Sequence, residues 1–92
     1  MKRKDLEQRL EHMTEKLAAI EHERWSHWQR YLHSRAKREP DGTLVLPADL
    51  VTHWERLMGT PYDTLSEAEK ESDRQQVRRY LPLIVGAIIE GT

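Results

Sequence analysis

The sequence predicts an all-α fold of three helices. These are a long N-terminal helix over about residues 5–35, a short middle helix over about 48–58, and a C-terminal helix over about 66–89, kinked near Pro82. Three observations predict it. Neither Pro nor Gly occurs between Asp5 and Ser34, apolar residues recur at helical spacing, and turn signals interrupt the chain twice.

In the first helix Leu6, Leu10, Met13, Leu17 and Ile20 recur at spacings of 4, 3, 4 and 3, the rhythm of a coiled-coil seam. A narrow seam on so charged a rod points to an oligomer interface over residues 1–20. Trp25, Trp28 and Leu32 then continue at helical spacing in a shifted register, the broader face of a helix that packs within a domain. The basic residues of Arg35-Ala-Lys-Arg suit a helix C-terminus. Pro40-Asp41-Gly42 is a turn, and Thr43 to Leu46 is extended but too short to predict a sheet.

Pro47 stands where a first helical position favours it, and Leu50, Val51, Trp54, Leu57 and Met58 form one face ending at Gly59. Thr60-Pro-Tyr-Asp63 is a second turn. Ser66-Glu-Ala-Glu69 then fits a capping box, in which the serine hydroxyl and the glutamate carboxylate satisfy each other's backbone N–H. Val77, Leu81, Ile84 and Ile88 form the expected core stripe of the last helix, while Pro82 removes a donor and should kink it or start a separate turn.

Ninety-two residues suffice for one domain with a modest core. Fifteen basic and 16 acidic residues give a net charge of -1, so no global pull toward nucleic acid or an anionic membrane is expected. Clusters at Arg30, Arg35, Lys37 and Arg38, and at Arg74, Arg78 and Arg79, are interspersed with acids and read as solvated faces. There is no cysteine, which excludes disulfide and thiolate chemistry. The charged N-terminus lacks the apolar segment of a secretory signal, and the longest apolar run, Leu83 to Ile89, is far short of a membrane span. A soluble, cytoplasmic protein is expected.

Catalytic and metal readings find little support. His22 and His27 lie five residues apart, roughly 140° around a helix, and do not converge on an ion as i, i+4 ligands do. No Gly-x-Ser-x-Gly elbow or phosphate loop occurs, and the acidic start of the last helix suits its dipole. The expectation is a protein that is not an enzyme, with no metal and no cofactor. Trp25 differs from an ordinary core residue in having His22 one turn before it and Arg24 beside it. An indole with a neighbouring cation and imidazole is a platform for a planar anion, although packing into a core is the commoner use of such a residue.

His22-x-x-Trp25 on one helix, then Thr60-Pro-Tyr62-x-x-Leu65-Ser-Glu-x-Glu-Lys70-x-x-Asp73 opening another, resembles the ryanodine-receptor-type repeat, or RyR domain. The resemblance spans about Ile20 to Leu83. The family's Gly-Trp-x-Tyr-Gly turn is absent, and a whole helix precedes Pro61 instead, so the chain looks like a divergent relative of the kind found among small phage or prophage proteins. Phage anti-defence proteins of the Thoeris type are distantly similar. The resemblance implies a module over residues 20–92 that sequesters a nucleotide-like signal, a cyclic nucleotide or an ADP-ribose-type molecule, in the host cytoplasm. It implies a pocket of His22, Arg24, Trp25, Tyr62, Lys70 and Arg74. The alternative is a homo-oligomeric structural or adaptor protein acting through its N-terminal helix.

Overall fold

Antiparallel pairing of two long helical arms organises the chain. A computed structural model describes residues 2–90, with side chains through residue 89; the extreme ends of the expected 1–92 domain fall outside the described residues. The elements are α1 (Arg3–Glu11), α2 (Thr14–Arg35), β1 (Lys37–Arg38), β2 (Leu44–Val45), α3 (Ala48–Met58), a 3₁₀ turn (Tyr62–Thr64) and α4 (Glu67–Glu90). The all-α expectation holds, with one very small hairpin added.

The first arm is two helices rather than the single helix expected over 5–35. The Thr14 hydroxyl donates to the Glu11 carbonyl at 2.7 Å, and the Met13 N–H turns back to Leu10 O at 3.0 Å. This is the local competition by which a threonine side chain interrupts a helical ladder. The ladder resumes at once, with Leu17 N–H bonded to Met13 O. Leu6, Leu10, Met13, Leu17 and Ile20 are all half-buried across this joint.

α4 runs back along this arm. Arg79 pairs with Glu23 at 2.6 Å, the Tyr80 hydroxyl donates to Glu21, and the Arg9 guanidinium donates to the Ile88 carbonyl at 2.9 Å. Helix α4 continues unbroken through Pro82, so no separate last turn forms there. Its start is the capping box: Ser66 N–H donates to Glu69 Oε1 at 3.0 Å, and Glu69 N–H to Ser66 Oγ at 3.2 Å.

The hairpin pairs Lys37 with Val45 and Arg38 with Leu44. Its turn closes through the Thr43 N–H, which donates to the Asp41 carboxylate, and Gly42 takes a φ of 92°, which disfavours a side chain. Pro47 caps α3 from outside instead of occupying its first turn. At the other end Gly59 keeps a negative φ, and the Thr60 hydroxyl satisfies the Arg56 carbonyl. Leu50, Val51, Trp54 and Leu57 are half-buried, whereas Met58 turns to solvent.

Among the described residues none is fully buried. The chain measures 55 × 34 × 17 Å with a radius of gyration of 18.3 Å, against about 12 Å for a compact domain of this length. A thickness of 17 Å leaves room for little more than one layer of helices, each about 10–12 Å across, and domains bury apolar faces between two. The expected core stripe of α4 is accordingly open over most of its length: Val77, Leu81 and Ile88 are exposed, as is Val85, whereas Ile84 is half-buried. Leu83, Gly86 and Ala87 instead line the recess facing Arg9, His12 and Met13. The apolar half of α4 therefore has one face against α1 and another toward solvent.

Candidate functional site

Two recesses flank α2. The first, of about 860 Å³, opens between α2, α3, the 3₁₀ turn and α4; its lining includes Arg24, Trp28, His53, Tyr62, Ser72 and Asp73. Trp28 forms its floor through an edge-on contact with Trp54 at 5.3 Å between ring centroids, and it also meets Tyr31 at 5.7 Å. Edge-to-face aromatic contacts of this kind orient α3 against α2. The second recess, of about 560 Å³, is a shallow groove along the outer face of α2, where Trp25, Gln29, Arg30, His33 and Ser34 face Arg38.

The structure divides the residues expected to form one pocket. Arg24 and Tyr62 share the first recess. Lys70 stands over the Tyr62 ring at 5.7 Å from its centroid, while Arg74 shares a separate side groove with Tyr62, Val77 and Leu81. His22 stacks on Trp25 at 6.1 Å and 20°, and Trp25, 59% exposed, lines the outer groove. Trp28, read as core, and His53, given no role, are among the residues of the first recess that sequence reasoning missed. Their signal was the i, i+3 spacing from Trp25 and the placement of His53 beside Trp54 on α3.

The three expected cations already have carboxylate partners. Arg24 pairs with Glu21 at 2.7 Å; Lys70 approaches Glu67 at 3.9 Å; Arg74 bridges Glu67 at 3.1 Å and Glu71 at 3.4 Å. Bonding to Arg24, reinforced by the Tyr80 hydroxyl, holds the Glu21 carboxyl below its ordinary range, and Arg78 does the same for Glu71. Glu69 is the most perturbed: the Arg56 guanidinium at 2.5 Å and the Ser66 N–H bring it from an ordinary 4.5 down to about 2.

A pH dependence follows. A carboxyl whose folded value is depressed contributes stability that is fully present above its unfolded value and is lost as pH falls through the folded one. The contribution of Glu69 should therefore be intact at pH 5 and fade between about 4.5 and about 2. Urea midpoints across that window measure it, and Glu69→Gln should flatten the acid slope relative to the parent chain.

Together these features define an all-α protein with solvent-open recesses on either side of α2, in which none of the described helices is long and apolar enough to cross a membrane. Compared with models of protein families, with curated proteins and with solved structures, the chain matches none of them. The likeness to the RyR domain thus rests on the residues quoted for it.

Proposed function

We propose that this chain is a non-enzymatic binding module that works as a homo-oligomer, each copy covering an apolar face of the next and the assembly presenting the aromatic recess. One observation supports this above the others: no described residue is fully buried, while Val77, Leu81, Val85 and Ile88 form an open stripe on α4. A chain of 10.9 kDa folded compactly would expose about 5,600 Å². This one exposes 7485 Å², about 1,900 Å² more. Each partner in an obligate two-copy interface covers roughly 1,000–2,500 Å², so a second copy accounts for the excess. A stripe at spacings of four and three on one helix is self-complementary about a two-fold axis, the commonest oligomer symmetry. Light scattering on the purified chain tests this: a mass at least double that of one chain is expected, and a single-chain mass at tens of micromolar would reject the assembly.

A second reading concerns the ligand. Capture of a nucleotide-like signal, the activity implied by the RyR and anti-defence resemblance, is favoured by the meeting of Arg24, Trp28, His53 and Tyr62 in one recess. An aromatic wall with a guanidinium at its edge suits a base and a phosphate. Thermal shift with adenine and cyclic nucleotides should raise the melting temperature with ligand concentration. No shift at millimolar ligand would exclude this reading while leaving the assembly standing.

A further inference from the structure

The arginines of this chain divide into two populations. Of ten, Arg3, Arg24, Arg56, Arg74, Arg78 and Arg79 form ion pairs, and Arg9 donates to the Ile88 carbonyl. Arg30, Arg35 and Arg38 have no carboxylate within 4.0 Å among the described residues. All three lie at the C-terminal end of α2 or on β1, where Lys37 adds a fourth positive charge with only a distant approach to Glu39, at 4.0 Å. In sequence both arginine clusters look diluted by acids. In three dimensions the acids neutralise one cluster, through Glu67, Glu71 and Glu23, and leave Arg30, Arg35 and Arg38 of the other without a carboxylate partner among the described residues.

The unopposed cluster sits beside the most exposed tryptophan of the chain. Trp25 begins the outer groove; Gln29 and His33 follow at four-residue intervals, with Ser26, Arg30 and Ser34 in the adjacent row. The ten residues from Trp25 to Ser34 span about 14 Å of helix face, and Arg38 closes the far end. An indole face open to solvent, hydrogen-bonding side chains and a line of free guanidinium groups are the parts of a sequence-tolerant site for single strands: bases stack while cations follow the phosphates. The groove is shallow and open to solvent along its length, which fits a strand laid across it better than an enclosed mononucleotide.

We infer that the outer face of α2, from Trp25 through Arg30 and His33 to Arg38, is a binding site for single-stranded nucleic acid. Arg30 and Arg38, which line the groove, neutralise phosphates, and Trp25 stacks on a base. The site lies apart from the open stripe of α4 and does not depend on the recess of the second ligand reading. RNA and DNA strands share the recognised chemistry.

Fluorescence anisotropy of short labelled oligouridylate and oligothymidylate, titrated with the full chain between 50 and 200 mM salt, tests this. Two phosphate contacts predict a slope of log affinity against log salt of roughly -1.4, and Arg30→Gln with Arg38→Gln should flatten it by more than half. Trp25→Ala should weaken binding roughly tenfold without changing that slope. Arg78→Gln removes one positive charge from the neutralised cluster and should leave binding unaltered, whereas Arg30→Gln or Arg38→Gln alone should weaken it. No binding at 50 mM salt would overturn the inference, as would equal loss in Arg78→Gln. Equal displacement by polyglutamate would also overturn it, by showing a general polyanion surface, and equal competition by uridine monophosphate would show a mononucleotide site. Circular dichroism of each variant, matching the parent chain, keeps misfolding out of the comparison; an Ala at position 25 that unfolds is replaced by Trp25→Leu, which retains bulk without a stacking face and carries the same expectation.

Discussion

Leu81→Glu is expected to reduce the assembly to single chains of 10.9 kDa and to weaken self-association more than a hundredfold. Leu81 is 48% exposed within one chain, between Val77 and Val85 on the open face of α4. Covering such a side chain contributes about 1.5–3 kcal/mol. In a two-fold interface the substitution acts twice and also forces two carboxylates into an apolar contact, where each lacks a partner. Sedimentation velocity reads the outcome. Met58→Glu is the matched control, because Met58 is a more exposed apolar side chain outside the stripe, and it should leave the mass unchanged.

Trp54→Ala should lower unfolding free energy by about 3 kcal/mol, the lower end of the cost of truncating a buried aromatic, because Trp54 is half-buried. Helix α3 has few anchors: the edge-on contact of Trp54 with Trp28, the flanking Leu50, Val51 and Leu57, and the Arg56–Glu69 pair. The Arg56 end of the pair is half exposed, so water screens it and it contributes less than the aromatic contact. Trp54→Phe keeps an aromatic edge and should recover more than half of the loss in urea titrations. Equal midpoints for the parent and Trp54→Ala would mean that α3 is held by something other than this contact.

The helices were legible because local signals agreed. The Pro- and Gly-free run from Asp5, the Ser66–Glu69 capping box and the Leu50–Leu57 face each describe neighbouring residues, whose geometry a helix fixes without reference to the rest of the chain. The break at His12–Met13 was not legible, since it turns on whether the Thr14 hydroxyl bonds back to Glu11 or points to water. The hairpin was hidden for another reason: Lys37 and Arg38 show no apolar alternation, and only pairing with Leu44 and Val45 makes them a strand.

The stripe of α4 was visible as a pattern, but a stripe does not say which surface covers it. Val77 and Leu81 were expected in a core and stand open because α1 and α2 meet α4 on its Tyr80 and Leu83 side. The site was legible only in part. Sequence placed Arg24 near an aromatic platform, and the structure joins it to Tyr62. Trp25 and Trp28, three residues apart, diverge into different recesses. Nor does spacing reveal which cations are neutralised, since partners such as Glu23 and Arg79 are 56 residues apart.

The proposed assembly makes one chain an incomplete fold that a second copy completes. Thermal unfolding across a hundredfold range of protein concentration tests this most directly, because stability drawn from association depends on concentration and intramolecular stability does not. A hundredfold increase adds about 2.7 kcal/mol to an obligate pair, which, spread over the unfolding entropy of two chains of this size, raises the melting temperature by roughly 7 °C. That rise is the predicted result. A melting temperature that stays constant across the range would contradict it.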